Sequence, residues 1–207
     1  MAGPPHEPTI EVGWQVHEFS YGDDKPRLFI YWTSDAYRKT CCYNLRCGGF
    51  VPIKQEIAIG GVIPHVSTLD GPQEILPITI WKDPRTGNWW LKFFTHLIVG
   101  YWHSSLFNHI QNGATEINWG GEIINWKDGG HRTSTHMGSG RFAEQGWAKA
   151  SYFNHIEILD ESETVKQHLG YVPSVTDANC YNLRSGIDQT VGTFFYYGGH
   201  GRNPNCH

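Results

Sequence analysis

The residues from Thr9 to Val16 alternate strictly between apolar and polar or small, and no other feature limits the fold as much. Successive side chains of an extended chain point to opposite faces, so Ile10, Val12, Trp14 and Val16 share one side and Glu11, Gly13 and Gln15 the other. Comparable runs recur along the chain. Arg27–Thr33 is β-branched and aromatic throughout, and Ile57–Ile63 is interrupted by Gly60-Gly61. Glu74–Lys82 and Trp89–Phe94 flank Asp83–Asn88, which reads as a hairpin loop, and Pro77 marks an edge or a bulge. His96–Trp102, Tyr152–Leu159 and Phe194–Tyr197 complete the set. One helix is expected over Ser105–Gln111, capped by Ser104 and closed by Asn112-Gly113. Many short strands, one short helix and no βαβ alternation predict an all-β fold, an antiparallel β-sandwich or jelly roll.

A second segment reads like the first. Ile117, Trp119, Gly121 and Ile123 alternate with Asn118, Gly120 and Glu122, which predicts another strand. Glu11 and Glu122 thus each stand on an aromatic-backed strand with a glycine two residues away on their own face. A glycine there removes a neighbouring side chain and leaves room for another backbone. Two carboxylates in such grooves are the raw material of acid/base hydrolysis. The plain alternative is that both are solvated strand residues.

Composition excludes several function classes. The 207 residues suffice for one domain with a sizeable core. With a formal charge of −4 and no basic run, a nucleic-acid surface is not expected. No apolar stretch reaches the roughly 18 residues of a membrane span. The first eight residues hold neither a basic nor an apolar region of a signal peptide, and read as a disordered lead-in to a domain over 9–207. Twelve histidines make the charge strongly acid-dependent.

The five cysteines are Cys41, Cys42, Cys47, Cys180 and Cys206. Zinc is a rival to disulfides here, because Cys42 and Cys47 have a loosely metal-like spacing. No second Cys pair of that kind occurs further along, and His131 and His136 flank a loop rather than one helix face. Two disulfides with one odd thiol, in an oxidising compartment, fit better, and no metal or cofactor is expected. Cys42-Tyr43-Asn44-Leu45-Arg46 is echoed by Cys180-Tyr181-Asn182-Leu183-Arg184, which suggests similar Cys-bearing turns.

Several segments taken together resemble the neprosin-type glutamic peptidases, found mainly in plants. They are Ile10-Glu11-Val12-Gly13-Trp14, Phe29–Thr33 with Asp35 and Tyr37, Cys42–Cys47 with Gly49-Phe50-Val51, Gly87–Leu91, Gly100-Tyr101-Trp102, Trp119-Gly120-Gly121-Glu122 and Met137-Gly138-Ser139-Gly140. The likeness runs from Thr9 to Cys206. It implies an antiparallel sandwich with catalytic glutamates at Glu11 and Glu122, and disulfides Cys42–Cys47 and Cys180–Cys206. Cys41, where the family usually has glycine, becomes the odd thiol. His103 replaces a common proline.

The implied activity is cleavage of proline-containing peptides or proteins after proline, at acidic pH, by a monomer in a secreted or vacuolar setting. The family has further strands ahead of Glu11, so the chain reads as shortened at its N-terminus. Gly13, Gly120 and Gly121 are expected to admit an extended substrate, Tyr31 and Trp32 to line a proline pocket, and Gln15 to help orient a water. A second function stays open beside this one: a non-catalytic β-sandwich module that holds carbohydrate or cell wall on a row of exposed aromatics.

Overall fold

The computed structural model describes residues 8–53, 58–107, 110, 112–124, 130–160, 162, 164–167 and 170–207. The disordered lead-in expected over residues 1–8 lies, except for Pro8, outside them. The chain divides into two compact units, one of Met1–Val66 with Glu74–Ile117, the other of Ser67–Gln73 with Asn118–His207.

The first unit is built on the alternating segment. Strand β1 (Thr9–Gln15) pairs antiparallel with β2 (Arg27–Thr33) in a register running from Thr9 opposite Thr33 to Gln15 opposite Arg27. The link carries a single turn of helix, α1 (Glu18–Tyr21), which the sequence pattern did not signal. His17 Nδ1 caps it by accepting the Ser20 N–H at 3.2 Å, and Gly22 ends it with φ 75°, a left-handed value that glycine adopts without cost. Short strand β3 (Cys42–Tyr43) joins β2, with Tyr43 opposite Tyr31 and Cys42 opposite Trp32. Buried Asn44 prolongs that edge: its Oδ1 accepts the Ile30 N–H at 3.1 Å and its own N–H reaches Ile30 O at 2.8 Å.

A second sheet is made of β4 (Phe50–Pro52), β5 (Ile78–Lys82), β6 (Trp89–Phe93) and β7 (Leu97–Trp102), in the spatial order β4-β7-β6-β5. Strand β5 begins just after Pro77, whose carbonyl accepts the Phe94 N–H while its ring offers no donor. Both sheets contribute to one core of Ile30, Trp32, Cys42, Phe50, Trp89, Leu91, Phe93, Val99 and Trp102. A sandwich results from the period of two, which sends Ile30 and Trp32 inward and Phe29 and Tyr31 outward. Each large apolar side chain so buried stabilises by about 1.5–3 kcal/mol.

The second unit holds β8 (Ser151–Phe153), β9 (Glu157–Leu159), β10 (Val165–Gln167), β11 (Asn182–Asp188) and β12 (Gly192–Gly198). Strands β11, β12 and β8 make one antiparallel sheet, and β10 and β9 a hairpin. Ile156, Phe195 and Tyr197 form its core, with Trp119, Met137, Phe153 and Leu183 packed on them. The fold is therefore all-β and antiparallel, as expected.

Four local expectations are corrected. Of the strand expected over Ile57–Ile63, Ile57 lies outside the described residues; Ala58–Gly61 is a turn closed by the Gly61 N–H on Ala58 O, and Val62 makes only an isolated bridge to Arg27. The helix expected over Ser105–Gln111 is not a continuous α-helix: Ser104–Leu106 is a 3₁₀ turn capped by His103 rather than Ser104, Ile110 is also 3₁₀, and residues 108, 109 and 111 lie outside the described residues. The run Tyr152–Leu159 is two strands, parted at His155, which has φ 48°. The segment carrying Glu122 is not a strand.

Candidate active site

Glu11 occupies the face of β1 that turns away from the first unit's core. The ladder sets Glu11 opposite Tyr31 and Tyr31 opposite Tyr43, so one row of side chains crosses three strands. The Tyr31 and Tyr43 rings lie 4.5 Å apart and tilted, and Phe29 adds its ring 6.5 Å from Tyr43. Burial among these rings pushes the Tyr31 hydroxyl far above its ordinary range, with the neighbouring Cys41, Tyr37, Tyr43 and Glu11 adding to the effect. Tyr31 is thus a neutral phenol throughout the working range of any protein.

A loop closes over this row. Tyr37 stacks on Tyr31 with centroids 5.9 Å apart and planes at 16°, and its Oη donates to Glu11 Oε1 at 2.9 Å. The same phenol oxygen lies 3.2 Å from Thr9 Oγ1. Asp35 holds the loop: its carboxylate accepts from the backbone N–H groups of Arg38, Lys39 and Thr40 and from the hydroxyls of Thr33 and Thr40. Partial burial works against ionising Asp35, but the bonds from Thr40, Lys39 and Thr33 outweigh it and bring its pKa down to about 2.

Gly13 and Gln15 share the Glu11 face, as the alternation required. A Cβ on Gly13 would stand 3.3 Å from the Phe29 ring, so glycine lets that ring lie flat across the strand. Gln15 stands opposite Arg27, about 13 Å along the strand from Glu11 at ~3.3 Å per residue. That is too far for its amide to orient a water at Glu11. Trp32 is the clear correction among the expected pocket residues. It is 5% exposed and packs in the core, because adjacent strand residues cannot share a face and Tyr31 already points outward.

Glu122 stands in the second unit on irregular chain. Trp119 is partly buried against the Phe195–Tyr197 core and pins the segment. Gly121 lies so close to the sheet that a Cβ there would meet Tyr197 Cε2 at 2.6 Å and Met137 Cγ at 2.9 Å, so only glycine fits. Gly120, by contrast, has nothing within 4 Å of where a Cβ would be. Glu122 is exposed, and among the described residues its carboxylate hydrogen-bonds nothing. Trp119-Gly120-Gly121-Glu122 thus works as an anchor, a close approach and a projecting acid rather than as a strand.

The disulfides Cys42–Cys47 and Cys180–Cys206 are formed and Cys41 is a free, exposed thiol. Asp177, Cys180 and Cys206 gather their ligand-type atoms within 4.8 Å, but both sulfurs are engaged in the bridge and cannot serve as thiolate ligands. The echoed Cys-Tyr-Asn motifs also prove similar in use. Asn44 Oδ1 accepts the Ile30 N–H, and Asn182 Oδ1 accepts the Ala143 N–H at 2.8 Å. The two asparagines differ in their backbone: Asn44 turns the chain with φ 54°, whereas Asn182 opens β11.

Sequence reasoning gave Asp35, Tyr37 and Tyr43 no role, although all three fell in its recognisable segments. The available signal was Thr33-Ser34-Asp35 at a strand end, where short polar side chains bond the backbone just ahead. Comparison with known families places the chain firmly: the model for the neprosin family matches residues 2–200.

Proposed function

Because the chain belongs to the neprosin family, and so to a peptidase family, we propose that it is a glutamic endopeptidase cutting peptide bonds after proline at acidic pH. The observation that carries this reading is the Glu11 carboxylate, set on an aromatic-lined strand face and held by the Tyr37 hydroxyl. In the proposed reaction Glu11 and Glu122 are the two catalytic carboxylates. Acid/base hydrolysis at acidic pH calls for one of them ionised and the other protonated. The ionised group takes a proton from the water as its oxygen attacks the carbonyl carbon. The protonated group polarises the carbonyl and then gives its proton to the leaving nitrogen as the C–N bond breaks.

An extended substrate suits the β1 face, where the Phe29, Tyr31 and Tyr43 rings lie beside Glu11. A flat pyrrolidine ring stacks well on such faces. The substrate is a proline-containing peptide or protein, the enzyme acts as a monomer, and its two disulfides favour a secreted or vacuolar location.

One observation favours the second reading, a carbohydrate-binding module without catalysis. Trp81, Trp90 and Tyr101 form a cross-strand row on β5, β6 and β7, facing away from the core. Their neighbouring ring centroids are 6.1 and 4.9 Å apart. The two readings part on one assay, cleavage of a quenched fluorogenic peptide with a single proline, from acidic to neutral pH, alongside Glu11→Gln and Glu122→Gln. Acid-dependent cleavage after proline, lost in both folded variants, is expected. A folded wild type that leaves the peptide intact and binds glucan or mannan instead sinks the peptidase reading.

A further inference from the structure

The loop between β2 and β3 is held in place far more firmly than its length alone requires. Ala36 and Tyr37 are consecutive non-glycine residues with φ 55° and 65°, a left-handed conformation that persists only where surrounding bonds enforce it. The enforcement is visible. Thr33, fully buried, accepts the Tyr37 N–H on its Oγ1 at 3.0 Å and donates the same hydroxyl to Asp35 Oδ1 at 3.1 Å. Thr40 Oγ1 accepts the Ser34 N–H at 2.9 Å and donates to Asp35 at 2.8 Å. All of this fixes the backbone of Tyr37, and the stack on Tyr31 fixes its ring.

The phenol so placed donates to one oxygen of Glu11, Oε1, at 2.9 Å. A donated O–H favours the ionised form of a carboxylate over the neutral one. Tyr31 on β2 faces Glu11 across the ladder, Tyr43 on β3 and the Cys41 thiol stand beside Tyr31, and Tyr37 bonds Glu11 directly. Arg38 and Lys39 extend from the same loop as exposed cations.

We infer that Tyr37 is the positioning residue of Glu11: the Asp35-anchored loop presses its hydroxyl onto Oε1, keeps Glu11 a carboxylate and fixes its orientation for the reacting water. This assignment rests on the peptidase reading and deepens it, since it makes Glu11 the base of the pair and leaves the acid role to Glu122. Tyr37 itself makes and breaks no bond.

The test is Tyr37→Phe in the full chain, which keeps the stacked ring and removes the hydroxyl. Carbon-13 NMR of labelled glutamate side chains, with the Glu11 signal identified through Glu11→Gln, tracks ionisation without reference to activity. The Glu11 midpoint is expected to rise by about half a pH unit or more on loss of the donor. In the cleavage assay kcat is expected to fall about tenfold with KM within about twofold, and the acidic limb of kcat/KM to move up with the NMR midpoint. An unshifted Glu11 midpoint in an enzyme that still cleaves overturns the Tyr37 assignment alone. A shifted midpoint in a protein that cleaves nothing overturns the peptidase reading, and the base role with it.

Discussion

Glu11 and Glu122 look alike in the sequence and are built in opposite ways. Glu11 belongs to a fully paired strand, opposite Tyr31, with a hydroxyl bonded to its carboxylate. Glu122 belongs to irregular chain tacked to a sheet by Trp119 and by the bare backbone of Gly121, and its exposed carboxylate hydrogen-bonds nothing among the described residues. One acid is fixed through its side chain, the other through its backbone alone. A fixed, hydrogen-bonded carboxylate suits the group that must stay ionised and aimed. A projecting one suits the group that must pick up a proton from solvent and release it again.

The largest expected effect tests whether the two differ in role while being equally necessary. Glu11→Gln and Glu122→Gln should each lower kcat by about a thousandfold or more, and the double variant should be no worse than either single one, because groups acting in one step are not additive. Steady-state kinetics on the proline peptide measures this. If Glu122→Gln keeps near-normal kcat, the pairing is wrong and Glu11 works with some other acid.

Much of the Glu11 side of the comparison was legible in the sequence, because a period of two assigns faces without knowledge of the partner strand. It put Glu11, Gly13 and Gln15 together correctly, and gave β2 its bounds. The Glu122 side was misread for a physical reason. Ile117, Trp119, Gly121 and Ile123 alternate as a strand does, but among the described residues no strand pairs with them, and the alternation serves instead to seat one indole and one glycine on a core. Alternation gives the direction of side chains, not the presence of a hydrogen-bonded neighbour. The Asp35–Tyr37 loop escaped for another reason: its order depends on left-handed residues at Ala36 and Tyr37, which no propensity favours. Trp32 was paired with Tyr31 as pocket lining although the same period of two separates them.

The separation of Trp32 from Tyr31 carries the next effect in size. Trp32→Ala should cost about 3–5 kcal/mol in denaturant unfolding, since it empties a core site that is 5% exposed. Tyr31→Ala, on the outward face, should cost about 1–2 kcal/mol and act on cleavage instead. Equal losses of stability from the two would break the assignment of faces. A smaller effect separates the two glycines that precede Glu122. Gly121→Ala must push the segment off Tyr197 and Met137, and should lower kcat by about ten- to a hundredfold through misplacement of Glu122. Gly120→Ala meets open space and should leave the thermal midpoint within about 2 °C.

The smallest effect concerns how the Glu11 setting survives the acid in which it is proposed to work. Asp35 is held at about 2, against an ordinary aspartate value near ~3.9. A carboxyl whose folded value is depressed contributes stability that is fully present above its unfolded value and is lost as pH falls through the folded one. Asp35 therefore supports its loop in full above pH ~4 and loses that support only toward pH ~2. Asp35→Asn keeps the size of the side chain but gives up the second accepting oxygen and the charge. Its stability deficit against wild type should be constant from neutral pH down to about 4 and should close between about 4 and 2, as read from urea midpoints at each pH. A deficit that closed well above pH ~4 would mean that Asp35 is protonated where the peptidase is proposed to act. The Tyr37 hydroxyl would then lose its anchored backbone in that range, and the contrast between a held Glu11 and a projecting Glu122 would fail under the conditions where it matters.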